Sequence, residues 1–265
     1  MSKNYKQFIS VTDFVSRDQS DDMSGLFIDL ISGGGPIIDV GVGVMMSRKT
    51  LTGEPTKWSK AFPKNEDIAK IFIDHSYVFN VLHYADSDEG MTTIDHLVQA
   101  TGYGGEYMHA LQLDMCWPDL WMIKKYKSMF PKIKVILQIG NKSFAIANSE
   151  AELLGRLSAY GDAIDYVLID RSEGRGIPLD PKKTIPTIRL LKDNYPDLGI
   201  IVAGGLGPNT LDLLVPIVKE FPDVSTDAQG RLRPSGDALN EPIDWPMAKE
   251  YATKTYDIFK IYEPV

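Results

Sequence analysis

Eight times along this chain a short run of β-branched and aliphatic residues gives way to a longer stretch with apolar residues at helical spacing. No other feature restricts the fold as much, because strands joined through helices return to the same end of a sheet and pair in parallel. The strand-like runs fall at 8–12, 37–44, 77–83, 110–114, 134–139, 165–170, 199–203 and 223–226. The helical stretches fall at 16–31, 65–74, 93–101, 118–130, 149–160, 181–195, 208–221 and 245–262. Eight such units in 265 residues predict an α/β protein of the (β/α)8, or TIM, barrel class, whose usual length is about 250 residues. An open doubly wound sheet is the alternative. No linker or low-complexity run interrupts the series, so residues 1–265 are expected to form one barrel domain.

Composition narrows the partners. A formal net charge of −8 argues against nucleic acid, since phosphate-backbone attraction would need a local basic patch that the sequence lacks. The single cysteine, Cys116, forms no internal disulfide, and no Cys/His run has zinc spacing, which suits a reducing compartment. No apolar signal stretch follows Met1, and no segment approaches the length of a membrane span. The expected protein is cytoplasmic, off the membrane, and free of metal and organic cofactor.

In a barrel of this class the chemistry gathers at the carboxyl ends of the strands. Alternation along the strands turns Ser10, Thr12, His83, Gln112, Asp114, Gln138 and Asp170 inward near those ends. Thr12, Gln112 and Asp114 are candidate substrate-binding groups. Asp170 and Asp13 are the candidate acid–base pair, because a carboxylate at an apolar barrel mouth holds its proton more tightly than one in water. The bland alternatives are helix capping for Asp13 and a cap or an ion pair with Arg171 or Arg175 for Asp170. His83 and His109 read as packed or hydrogen-bonded rather than as metal ligands. Asp39, the fourth member of a conceivable His/Asp metal set, begins its strand at the opposite end.

Two small-residue loops follow strands seven and eight, Gly204-Gly205-Leu206-Gly207-Pro208-Asn209 and Ser225-Thr226-Asp227-Ala228-Gln229-Gly230. Barrels commonly hold phosphate at these two places, on backbone N–H groups that small residues leave open. Gly204, Gly205, Leu206, Ser225, Thr226 and Asp227 are therefore candidate phosphate-binding residues, and a small phosphorylated metabolite is the expected partner. The alternative for the glycines is a sharp turn out of the strand.

Four of these segments carry a family resemblance. Residues 202–209 (Val-Ala-Gly-Gly-Leu-Gly-Pro-Asn) resemble the strand-seven motif of the phosphoribosylanthranilate isomerases, and Asp223-Val224-Ser225-Thr226, with Ser235-Gly236-Asp237, resembles their strand-eight segment. Leu111-Gln112-Leu113-Asp114 is similar to their strand-four end. Val167-Leu168-Ile169-Asp170, followed by Gly174-Arg175-Gly176 and Asp180, is similar to their strand-six aspartate and its glycine-rich continuation. The resemblance implies an aldose–ketose isomerisation, in which an acid opens a furanose ring and a base moves a proton from carbon 2. It implies Asp170 as the acid, and it adds Arg48 and Arg175 to the substrate-binding set. The family's base, a cysteine ending strand one, has no counterpart in Phe8-Ile9-Ser10-Val11-Thr12-Asp13, and Asp114 stands where the family has histidine. A divergent substrate, a barrel that binds a phosphometabolite without turning it over, and a phosphopentose epimerase-like enzyme remain open. The aromatic-rich region of Trp117, Trp121, Met122, Tyr126 and Met129 reads as outer-layer packing, or as a homodimer contact if part of it is exposed.

Overall fold

The computed structural model describes residues 5–172 and 177–263. Strands β1 (Phe8–Thr12), β2 (Asp39–Ser47), β3 (Val78–Ala85), β4 (Ala110–Asp114), β5 (Lys134–Ile139), β6 (Tyr166–Asp170), β7 (Gly199–Ala203) and β8 (Ser225–Ala228) follow one another in order around a closed barrel. Every neighbouring pair is parallel, including β8 with β1. This is the (β/α)8 barrel that the alternation predicts. The α-helices are α1 (Arg17–Ser32), α2 (Arg48–Thr52), α3 (Ile68–Ile71), α4 (Ile94–Gly104), α5 (Leu120–Met129), α6 (Asn141–Ile146), α7 (Glu150–Tyr160), α8 (Pro181–Asn194), α9 (Val215–Glu220) and α10 (Trp245–Ile261).

Strand alternation builds two apolar layers. Outward residues such as Val40, Leu82, Leu111, Val135, Val167 and Val202 join the helices in one core, while Phe8, Phe79, Val81, Ile136, Tyr166, Leu168 and Ile201 fill the barrel itself. Phe8 stacks on Phe79 at 4.8 Å between ring centres and meets Tyr166 edge-on at 5.7 Å. These rings close the amino-terminal end. Gly41 and Gly43 on β2 are required by crowding: a Cβ would lie 2.5 Å from Ser10 Cβ or from Thr12 Oγ1. Two glycines on one strand thus make room for the polar side chains of the next.

The structure revises several boundaries. β2 and β3 continue to Ser47 and Ala85, carrying the chain further toward the mouth. Residues 65–74 form no single helix but a 3-10 turn, Asn65–Asp67, and the four-residue α3. Within 208–221, Thr210 Oγ1 donates to Gly205 O at 2.8 Å and accepts from Gly207 N at 3.0 Å. That local turn competes with a helix, so α9 begins only at Val215. The revision that matters most is at β8, which runs two residues beyond 223–226. Ser225 Oγ accepts from Phe8 N at 3.1 Å, and Thr226 Oγ1 pairs with Tyr251 OH at 2.9 Å. Both hydroxyls are spent on scaffold contacts, and the residues expected to open a phosphate loop are the strand itself.

Candidate active site

A cavity of about 620 Å³ opens at the carboxyl ends of the strands. Its floor carries His83 from β3, Asp114 from β4, Gln138 from β5, Asp170 from β6 and Asp227 from β8. The β2–β3 connection supplies Thr56, Lys57, Trp58 and Phe62, the β7 loop Gly204–Leu206, and the segments after β8 Gln229–Arg231 and Gly236–Leu239. Trp58 stacks on Phe62 at 5.6 Å with the rings 10° apart, so one wall is aromatic while the floor is polar.

The corner between β8 and β1 belongs to Asp227. Thr12 Oγ1 donates to its Oδ1 at 2.9 Å, and the carboxyl is buried. Burial pushes Asp227 up to about 6; His83, Thr12 and Ser10 oppose the rise, and the Asp170 carboxylate adds to it. On β6, Asp170 Oδ1 accepts from Ser172 N and from Ser172 Oγ, each at 2.7 Å. Gly204, at φ +100°, lies against this turn, and a Cβ there would come 2.9 Å from Asp170 Oδ1. Gly205, at φ +63°, meets the Ile177 carbonyl at 2.3 Å from where its Cβ would be. The left-handed conformation and the crowding together demand glycine at both positions.

On β3 to β5, Gln112 Nε2 lies 3.2 Å from His83 Nδ1 and 3.5 Å from its Nε2, and it donates to Gln138 Oε1 at 3.0 Å. His83 Nε2 is 3.5 Å from Asp114 Oδ2. Burial alone lowers the affinity of His83 for its proton, yet Asp114, with Asp227 and Asp13 further off, lifts it above the usual value.

The expected site residues divide accordingly. Asp170, Asp114, Gly204, Gly205, Leu206 and Asp227 line the cavity; Thr12 and Gln112 lie just behind it, supporting Asp227 and His83. Asp227 enters as a carboxylate at a strand end, not as a loop amide. Asp13 does not line the cavity: Arg233 Nη2 holds its Oδ2 at 2.5 Å and Gln229 Nε2 both its oxygens at 3.1 Å, closing the β8 loop onto the end of β1. Arg48 lines the cavity, but its guanidinium is engaged by Glu54 at 2.5 Å and Asp88 at 2.8 Å, with Asp86 at 3.5 Å. It fastens the β2 and β3 loops together. Ser225 and Thr226 are scaffold residues, and Arg175 lies outside the described residues. Asp39 pairs with Lys6 at 2.9 Å at the closed end. Among the described residues no group of three or more His, Cys, Asp or Glu side chains is arranged to hold a metal ion.

Sequence reasoning missed Trp58, Phe62 and Arg231, and it took Asp227 for its backbone. Only for Asp227 was a signal present. Ser225 and Asp227 share the parity of an inward face once the strand is extended.

No family model matches the chain, and no curated protein sequence matches it. Solved structures do. Phosphoribosyl anthranilate isomerase from Thermococcus kodakaraensis is similar at a TM-score of 0.54 and 15% identity, over 94% of this chain and 98% of that one. Active domain 2 of a thermostable chitinase from Pyrococcus furiosus gives 0.55 and 11%, over 99% and 98%. Phospho-2-dehydro-3-deoxyheptonate aldolase from Thermotoga maritima gives 0.57 and 14%, over 96% and 68%. The chain shares the (β/α)8 barrel fold with all three. At such identities the likeness extends to the fold alone, since one barrel serves many chemistries. Among the described residues no helix is long and apolar enough to cross a membrane.

Proposed function

We propose that the protein is an isomerase-type enzyme that moves a proton between neighbouring carbons of a small hydroxylated carbonyl metabolite, with Asp227 and Asp170 as the acid–base pair. The observation that carries the reading is two buried carboxylates from β6 and β8 in one cavity, each accepting from hydroxyl groups. Ser172 donates twice to Asp170 Oδ1, which suits a proton acceptor, whereas burial pushes Asp227 up to about 6, so that it holds its proton past the usual carboxylate range. Asp227 therefore replaces Asp13 in the pair, and Asp170 acts as acceptor rather than as the acid that the family resemblance implies.

For an aldose–ketose exchange the step balances without a cofactor. Asp170 removes the proton from carbon 2 as Asp227 gives one to the oxygen on carbon 1, forming an enediol. The hydroxyl on carbon 2 then returns a proton to Asp227, carbon 1 receives the one held by Asp170, and both groups regain their starting states. Asp227 rests on Thr12 at the end of β1, so it stands next to the position of the cysteine that the isomerase family carries and this chain lacks. We place the substrate's anionic group, a phosphate, between Gly204–Leu206 and Gln229–Arg231, which border the same cavity and touch where Gly207 packs on Arg231.

The test is solvent deuterium exchange into a panel of phosphorylated aldoses and ketoses, followed by proton NMR. Exchange at carbon 1 or 2 that disappears in both Asp170→Asn and Asp227→Asn is the expected result. Thermal stabilisation by the same compounds with no exchange favours a barrel that binds a phosphometabolite without turning it over.

A further inference from the structure

Of the strand residues that line the cavity, His83 alone can carry a positive charge; the others that titrate are Asp114, Asp170 and Asp227. Arg48, Lys49 and Lys142, from the segments above, are paired with Glu54, Asp88 and Glu89. The proton-transfer reading gives His83 no task. Yet it borders the same cavity as the two aspartates while being only 6% exposed.

Strand β4 holds the ring from two positions, Gln112 and Asp114, which alternation turns to one inward face. Gln112 Nε2 lies 3.2 Å from His83 Nδ1 and 3.5 Å from its Nε2. Such nearly equal separations set the amide nitrogen against the face of the ring, where it packs rather than meeting either in-plane nitrogen position. Gln112 is itself fixed, since it donates to Gln138 Oε1 at 3.0 Å. Asp114 Oδ2 lies 3.5 Å from His83 Nε2, an ion-pair separation when the ring is protonated. Among the described residues no further hydrogen bond reaches the ring, so Nδ1 has no in-plane partner in the protein. A buried polar nitrogen held this firmly beside a cavity is a ready position for a ligand atom.

We infer that His83, as an imidazolium, is a third catalytic group, whose Nδ1–H meets the substrate oxygen that gains negative charge while Asp170 takes the proton from carbon 2. The inference rests on the proton-transfer reading. His83 keeps its own proton throughout: the oxygen on carbon 1 receives its proton from Asp227, and the imidazolium steadies the charge as it develops. Gln112 and Asp114 are positioning residues, one fixing the tilt of the ring and the other its Nε2 edge. The charged groups that face His83 are Asp114 from β4, Asp227 from β8 and Asp13 beyond β1. Burial opposes the imidazolium, and these three carboxylates outweigh it, so His83 holds its proton above the usual histidine range. A floor of carboxylates thus keeps charged the one group able to meet an oxyanion.

The first measurement needs no turnover. Nitrogen-15 spectra of the full chain, with His83 assigned by its loss in His83→Gln, follow the ring at about pH 6, within the imidazole range, as 2-phosphoglycolate, inorganic phosphate or formate is added. The expected result is a shift of His83 Nδ1 and a higher His83 midpoint with 2-phosphoglycolate, whose carboxylate stands for the charged oxygen. A His83 signal that none of the three anions moves overturns the proposal. The second measurement uses deuterium exchange into the phosphorylated aldoses and ketoses. His83→Gln should lower kcat by about 10²–10³-fold, as loss of an oxyanion donor does, and change KM by less than about threefold. In the parent, kcat/KM should fall above about pH 6 with Asp227 and steepen above the His83 midpoint. His83→Gln should remove the steeper limb, and Asp114→Asn should move it to lower pH. His83→Asn serves in the same way if the glutamine variant does not fold. Full kcat in His83→Gln, or a loss confined to KM, overturns the role of His83 and leaves the aspartate pair standing. Absence of exchange in the parent overturns the proton-transfer reading and with it the catalytic role of His83, and the anion shift then shows whether the ring still receives an oxyanion.

Discussion

The closed end of this barrel and the floor of its cavity handle charge differently. At the closed, amino-terminal end each buried or half-buried carboxylate faces a cation: Asp39 with Lys6 at 2.9 Å, Asp165 with Lys127 at 2.6 Å and Lys134 at 2.9 Å, and Asp223 with Lys192 at 2.7 Å. At the open end Asp170 and Asp227 meet hydroxyls and a backbone N–H, and Asp114 meets an imidazole. Neutralised charge holds the scaffold, whereas the Asp227 carboxyl, met by the Thr12 hydroxyl, stays able to exchange a proton. Within the open end, Asp13 and Asp227 repeat the contrast on neighbouring strands: both are buried, but only Asp13 has an arginine.

The strongest way to break the contrast is to neutralise the open end. Asp170→Asn and Asp227→Asn should each lower turnover by about 10²–10⁴-fold with no loss of melting temperature, since asparagine preserves the shape and much of the hydrogen bonding but carries no transferable proton. Because Asp227 must hold its proton, turnover should decline as the pH rises through about 6, measured as kcat/KM against pH. A rate that climbs through that pH instead would reverse the roles of the two aspartates. Retained activity in both variants would remove the pair from the mechanism.

Arg233→Met should give the largest loss of stability, about 3–5 kcal/mol in denaturant unfolding, because it strands a buried Asp13 carboxylate. Arg233 also donates to Glu241 O at 2.6 Å and Gln229 O at 2.9 Å, so the segment after β8 should loosen with it. A variant as stable as the parent would mean that Asp13 is not an anchored anion, and would restore it as a candidate for the chemistry.

These two aspartates also mark how far the sequence could be read. The eightfold alternation was enough for the barrel, because apolar burial on both faces of a parallel strand leaves a strong signal in Val135-Ile136-Leu137 or Ile200-Ile201-Val202. β8 lacks that signal. Its residues Ser225, Thr226, Asp227 and Ala228 look like a loop, since their hydroxyls satisfy Phe8 N and Tyr251 rather than packing as apolar side chains. Read from sequence, the strand therefore ends two residues early, and Asp227 drops out of the inward set. Asp13 failed for a different reason. Its partner Arg233 is 220 residues away, a contact no local pattern encodes. Asp170 was legible because β6 is strongly apolar up to the residue that turns inward.

Stability should depend on pH in a direction set by Asp227. Its folded value, about 6, lies above the usual aspartate value of 3.8, so between those values the folded state binds more protons than the unfolded one. Stability should then fall as the pH rises from about 4 through 6, by up to about 3 kcal/mol for a shift of about two units. Asp227→Asn should flatten that part of the profile. An unchanged slope would place the lost protons on other groups.

The smallest effect expected is the one that separates paired charge at the closed end from paired charge on the outer surface. Lys192 and Asp223 are largely covered, with side chains 18% and 22% exposed, whereas Lys249 and Asp22 are 42% and 69% exposed at a similar distance of 3.0 Å. A covered pair is poorly screened, and Asp223 also accepts from Tyr5 OH at 2.7 Å, so Lys192→Met takes a cation from a half-buried carboxylate. Lys192→Met should cost roughly 1–2 kcal/mol. Lys249→Met should cost less than about 0.5 kcal/mol, because water and salt already solvate both groups. The two costs should also respond differently to salt: added sodium chloride should erase the smaller and leave most of the larger, since screening reaches only the exposed pair. Equal losses with equal salt dependence would mean that the closed end is held by its aromatic plug of Phe8, Phe79 and Tyr166 alone, and that its ion pairs add nothing the surface does not.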